Sequence, residues 1–163
     1  MSKAELAVLI CGKPAGILSQ NRNGLMRFEY SPDYSGVPLS AAMPLSNRAY
    51  GQSVVRPFLF GLLPDSERQR RAIAKESGVS ANNPVALLSV IGRDCPGAVQ
   101  FCALDAVDAV VGRPGDYREV SDVEVASKLK SIRTDYDATW MGRDESWSLG
   151  GNQGKFALAF RNG

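Results

Sequence analysis

Asn23-Gly24-Leu25-Met26-Arg27-Phe28-Glu29-Tyr30 decides how the fold is read. Asn-Gly is the strongest short hairpin signal, because both central positions of a type I′ turn need positive φ. Leu25 to Tyr30 then reads as a strand. Met26, Phe28 and Tyr30 share one face, and Arg27 and Glu29 take the other. A hairpin needs a strand on its near side, and Ile17-Leu18 begins it, after a turn over Gly12-Lys13-Pro14-Ala15-Gly16. Before that turn, Ala4 to Ile10 reads as a strand buried on both faces, since Leu6, Val8 and Ile10 are apolar and so are Ala7 and Leu9. On the far side, 31–38 is loop. Leu39 to Leu45, bracketed by Pro38 and Pro44, is expected as a short edge strand. The first third of the chain is therefore a small antiparallel sheet.

Helices follow. Val54 to Leu63 is apolar on most sides and stops near Pro64. Ser66, with Gln69 three residues on, has the form of a capping box. The helix it opens carries Arg68, Arg70 and Arg71, and Gly78 can close it. Those arginines are either an anion patch or a solvated helix face. Asn83-Pro84 places an N-cap before a first-turn proline, Leu87, Leu88 and Ile91 form the buried stripe, and Gly92 ends the helix. Pro96-Gly97 turns into a strand over Ala98 to Leu104. Gly112 to Asp116 marks a boundary. Ser121 with Glu124 is another capping box, after which Val125, Leu129 and Ile132 share one helical face. Asp135 to Glu145 is a polar connector.

Composition narrows the function. The 163 residues are 44% hydrophobic and 22% charged, with a formal net charge of +2. That is an ordinary balance for a globular protein and gives no argument for a nucleic-acid or membrane partner. There is no histidine, which removes imidazole base chemistry and the usual zinc sites. Cys11, Cys95 and Cys102 form an odd, widely spaced set that suits a reducing, cytoplasmic setting.

The chemistry-bearing candidate is Ser148-Leu149-Gly150-Gly151-Asn152-Gln153-Gly154-Lys155. Phe156 to Phe160 follows with large and small apolar residues alternating, as in a strand. Three glycines leave the backbone bare, so amides can approach an anion, and Lys155 adds a fixed positive charge. The Walker pattern does not fit, because Leu149 and Phe156 stand where Gly and Ser or Thr are needed. A glycine-rich loop between two strands is how kinases cover the phosphates of ATP. By glycine spacing alone, a plain Gly-rich hairpin without chemical importance is the preferred reading.

Several stretches together resemble the HipA-type serine/threonine kinase toxins of bacterial toxin–antitoxin modules. They are Pro38-Leu39-Ser40 with Met43-Pro44-Leu45, Leu62-Leu63-Pro64-Asp65-Ser66, Ile91-Gly92-Arg93-Asp94 with Gly97-Ala98-Val99, and the loop from Ser148 to Lys155. The resemblance implies an α+β fold. A HipA-like N-terminal subdomain over 1–110 is followed by a connector helix and the first strands of a kinase-like N-lobe over 111–163. It implies that Gly150, Gly151, Asn152, Gln153, Gly154 and Lys155 lie against ATP phosphates, and that Ser148 is the autophosphorylated position. Gly150 stands where familiar members have Ala, and Gly154 where they often have Glu or Pro. ATP and Mg2+ are the cofactors of the full-length family. Its catalytic and metal-binding aspartates would follow Gly163, so this chain carries neither catalytic nor metal-binding residues and is expected to be inactive alone. Implied partners are a HipB-like helix-turn-helix antitoxin, operator DNA through that antitoxin, and glutamyl-tRNA synthetase or a similar translation factor as substrate. Arg93-Asp94 resembles half of a His-Arg-Asp catalytic loop and reads as a structural ion pair or cap.

Two expectations follow. The first is the front end of a HipA-like kinase: a chain ending just after Phe160 leaves an unpaired strand, an aggregation liability. The second is a stand-alone, non-enzymatic regulator that docks on such a kinase.

Overall fold

The computed structural model describes residues 4–113 and 118–134, and Leu158. Five strands form one antiparallel sheet: β1 (Ala4–Ile10), β2 (Lys13–Gln20), β3 (Met26–Tyr30), β4 (Ala49–Tyr50) and β5 (Val99–Cys102), in the order β4-β3-β2-β1-β5. The described helices are α1 (Gln52–Gly61), α2 (Glu67–Ser77), α3 (Pro84–Ile91), the short α4 (Val107–Val111) and α5 (Asp122–Thr134). The fold is α+β, as the sequence implies. The expected first strands of a kinase-like lobe lie outside the described residues.

The two hairpins exchange the roles that their sequences suggest. The type I′ turn is at Cys11-Gly12, with φ of 51° and 73°, between the paired residues Ile10 and Lys13. The expected long turn from Gly12 to Gly16 is instead the start of β2. Pro14 is tolerated because the β1–β2 register shifts between Val8 and Leu9, leaving Ala15 as the extra residue of a bulge. At Asn23-Gly24 only the glycine has positive φ, 81°. The Asn21 side chain accepts from the Asn23 and Leu25 amides at 2.9 and 3.0 Å and the Asn21 carbonyl from Gly24 at 2.9 Å. This side-chain turn closes a wider loop, so Asn23 keeps an ordinary backbone.

Alternation places the core. Met26, Phe28 and Tyr30 of β3 are buried, and Arg27 and Glu29 are exposed. Leu6, Val8 and Ile10 join them under α1, α2 and α3 in the main core, together with Val99 and Phe101. Ala7 and Leu9 point to the opposite face, where they cluster with Cys102 of β5 and Val110 of α4. This explains why β1 is apolar throughout: it is the strand with helices over both faces.

Helix ends follow the sequence signals. Ser66 caps α2 by accepting from the Gln69 amide, and Gly78 closes it at φ 67°. Asn83 caps α3 by accepting from the Val85 and Ala86 amides, with Pro84 at the first turn. Leu87, Leu88 and Ile91 are fully buried, as the stripe predicts. At α5 the Ser121 hydroxyl accepts from the Glu124 amide while the Glu124 carboxylate accepts from the Ser121 amide, a complete capping box.

One strand is in the wrong place. Leu39 to Leu45 is not a strand; the edge strand is Ala49–Tyr50. Pro38 and Pro44 cannot donate to a ladder, and the polar groups of this segment bond to tyrosine hydroxyls instead.

Candidate functional site

The glycine-rich loop, Ser148 and Gly150 to Lys155, lies outside the described residues, as does the connector from Asp135 to Glu145. What the described structure builds are the three other motif regions, and each is held by a specific polar device.

The first is the irregular segment from Ser31 to Arg48. The Tyr30 hydroxyl is buried beneath it, accepts from the Leu39 amide at 2.6 Å and donates to the Met43 carbonyl at 2.7 Å. Tyr34 donates to the Val37 carbonyl at 2.9 Å, Tyr50 donates to the Pro44 carbonyl, and Arg48 donates to the Tyr34 carbonyl at 2.8 Å. Tyr30 stacks on Tyr34 with centroids 5.8 Å apart and meets Phe28 edge-on at 4.7 Å. Burial pushes the Tyr30 phenol above its ordinary range, and the Leu39 hydrogen bond opposes that rise. The phenol therefore stays neutral and can both donate and accept. Leu39 and Met43 are buried as a result. The sequence motifs Pro38-Leu39-Ser40 and Met43-Pro44-Leu45 thus encode a pinned loop. By its sequence Tyr30 reads only as a core-face residue of β3; the signal for the pinned loop is the spacing of Tyr30, Tyr34 and Tyr50 around two prolines.

The second is Leu62 to Ser66, the link from α1 to α2. Arg70 donates from its guanidinium to the Pro64 carbonyl at 2.6 Å and to the Asp65 carbonyl at 2.7 Å. Arg56 and Arg70 both lie against the Phe60 ring, at 4.6 and 5.9 Å from its centroid. Arg71 pairs with Glu67 at 2.6 Å, with both side chains more than half exposed. Arg70 is therefore a loop staple, and Arg71 belongs to a solvated ion pair.

The third is Gly92 to Val99. Asp94 accepts two hydrogen bonds from Arg113, at 2.8 and 2.7 Å, with each side chain somewhat under half exposed. This is the structural ion pair expected of Asp94. Beside it lies a cleft of about 400 Å³ lined in part by Cys11, Cys95, Gln100 and Val111. The Cys11 amide donates to the Ala98 carbonyl at 2.9 Å, and Ala98 has positive φ, 57°. Two left-handed turns thus lean on each other across the β1–β5 edge. Burial pushes the Cys95 thiol up to about 12, with the Asp94 carboxylate adding to the rise. It is a neutral thiol at physiological pH and no nucleophile.

No described cluster of acidic, cysteine or histidine side chains could hold a metal, and no described helix is long and apolar enough to cross a membrane. The described geometry is that of surface loops pinned by side-chain hydrogen bonds.

The class is a small α+β domain. Its family is then given by comparison: the HipA N-terminal domain matches over residues 6–102, and the chain belongs to that family. The chain is 39% identical over 98 residues to "Putative kinase Y4mE" of Sinorhizobium fredii, covering 58% of this chain and 23% of that protein. It is 27% identical over 94 residues to an uncharacterized protein of Haemophilus influenzae, covering 58% of this chain and 87% of that protein. A chain of the Shewanella oneidensis MR-1 toxin–antitoxin complex of HipA, HipB and operator DNA superposes with a TM-score of 0.59 at 24% identity, covering 85% of this chain and 30% of that one. The chain thus spans under a third of the kinase-named relative and of the Shewanella chain.

Proposed function

We propose that this chain supplies the N-terminal part of a HipA-like serine/threonine protein kinase of a type II toxin–antitoxin system. The observation that carries this reading is the family match over residues 6–102, joined to 39% identity with a relative named as a kinase. In this reading 1–110 is the N-terminal subdomain and 111–163 opens the kinase core. The amides from Gly150 to Gly154 and the Lys155 ammonium hold the phosphates of ATP, whose Mg2+ is bound by residues of the remaining core. Phosphorylation at Ser148 adds close to two negative charges beside those phosphates and silences the enzyme by repulsion. The HipB and operator DNA of the Shewanella complex support a HipB-like antitoxin as partner. A translation factor such as glutamyl-tRNA synthetase is the substrate carried over from the resemblance. The test joins this chain to the catalytic remainder of such a kinase and follows ATP-dependent phosphate transfer to glutamyl-tRNA synthetase. Lys155→Met should raise the KM for ATP, and Ser148→Asp should abolish transfer while Ser148→Ala retains it. Equal transfer by all three variants refutes the loop assignment.

A second reading has its own support. The Haemophilus relative is matched over 87% of its length, so this domain also makes up nearly the whole of a protein. In this reading the chain acts without chemistry, by docking on a kinase. Stoichiometric inhibition of the kinase by the added chain would favour this reading, and restored catalysis the first.

A further inference from the structure

Two guanidiniums share one aromatic ring where α1 meets α2. Arg56 lies 4.6 Å from the centroid of Phe60, and Arg70 lies 5.9 Å from it. Phe60 packs against the main core, so the ring fixes where both cations sit. Each contact is favourable by itself, but together they hold two like charges close to each other, which repel. The neighbouring carboxylates do not offset that repulsion. Asp65 meets Arg70 through its backbone carbonyl, and the Glu67 carboxylate is taken by Arg71. The ion pairs among the described residues bring no carboxylate to Arg56 or Arg70.

Arg70 is also under-bonded. Its hydrogen bonds to the Pro64 and Asp65 carbonyls both leave from Nη1. Its Nε is buried and has no hydrogen-bond partner among the described residues. A buried donor without an acceptor is costly, and a bound ion is one of the few things that accounts for it. Nε and Nη2 form the edge of the guanidinium fork that meets two oxygens of one anion. Arg56 is exposed, and its long side chain can swing aside to admit an anion and then close on it. A carboxylate would engage both of its oxygens on the Arg70 edge. A phosphate group presents at least three and carries close to two negative charges, which suits a pair of guanidiniums. We propose that Arg56 and Arg70, gathered on the Phe60 ring, form a binding site for a phosphate group. The site uses none of the residues that the proposed function assigns to ATP, and it stands or falls independently of that reading.

The test titrates the full 163-residue chain by calorimetry with inorganic phosphate and, separately, with O-phosphoserine, at constant ionic strength and above the second phosphate pKa. The first probe stands for a free ion and the second for a phosphorylated side chain. Saturable binding of either is expected, with a matching rise in the thermal midpoint that chloride at equal ionic strength does not give. Arg56→Gln should weaken binding by about tenfold or more. Arg56→Lys should recover only part of the loss, because an ammonium keeps the charge and lacks the planar fork. Arg22→Gln removes the same charge from an exposed position in the β2–β3 loop and should leave affinity unchanged. That loop lies at the end of the sheet where α1 begins, since the Met26 amide donates to Gln52 at 2.7 Å, whereas Phe60 is at the far end of α1. Arg70→Lys also removes the loop staple, so the exposed Arg56 carries the test, with thermal melts without ligand as the folding check. Absence of binding by both probes overturns the proposal, as does equal binding by Arg56→Gln. Binding that survives Arg56→Gln and is lost in Lys155→Met belongs to the glycine-rich loop and overturns it too, while supporting the proposed function.

Discussion

Replacing Tyr30 by Phe removes one oxygen and leaves the ring in place. That oxygen bridges the Leu39 amide at 2.6 Å and the Met43 carbonyl at 2.7 Å, both in buried residues. Each neutral hydrogen bond contributes about 1 kcal/mol net, and each buried group left without a partner costs about 1–3 kcal/mol. The two orphaned backbone groups therefore set the expected loss at about 2–6 kcal/mol. Tyr34→Phe is the control: it removes one bond, to the Val37 carbonyl, at a partly buried site, and should cost about 1 kcal/mol. Urea unfolding of the full chain gives both values, and hydrogen exchange at the Leu39 amide reports the local effect. Tyr30→Phe should speed that exchange more than its global destabilisation accounts for, because the loop opens before the sheet does. A cost no greater than that of Tyr34→Phe, with the Leu39 amide still protected, would show that the hydroxyl does not hold the loop.

Cys11→Asn should stabilise the domain by about 1 kcal/mol, since Cys11 occupies a left-handed turn position, φ 51°, that Asn tolerates better; a lowered urea midpoint refutes it. Gly16→Ala should destabilise by about 3 kcal/mol or more, because a Cβ there would stand 2.1 Å from the Glu29 carbonyl oxygen of β3; an unchanged thermal midpoint refutes it. The Glu124 carboxyl is held down at about 2, first by the Arg118 guanidinium and then by the Ser121 amide and hydroxyl. A depressed carboxyl stabilises above its ordinary range and loses that contribution as pH falls through its folded value. Far-ultraviolet circular dichroism should therefore show α5 helicity that persists below pH 4.5 and declines toward pH 2, and Glu124→Gln should remove that pH dependence.

The sequence alone determined the parts of this protein that local chemistry specifies. Alternation fixed the faces of β3, apolar continuity marked β1 as buried on both sides, and Ser66, Asn83 and Ser121 announced the starts of three helices. These signals are legible because a cap or a period-two pattern acts within a few residues. Five motifs in register also sufficed to point to the HipA family. The tertiary structure decided what depends on distant partners. The Asn21 side chain took the Asn-Gly turn away from its usual geometry, and a bulge let Pro14 enter a strand. Tyr30, from the far end of β3, took over the amide and carbonyl that Leu39 to Leu45 would have given to a ladder. Arg70 and Arg113 found their acceptors across loops that no periodicity connects. A hydrogen bond between segments far apart in sequence leaves no local pattern, so only the folded chain could show which loops are pinned and which faces they present.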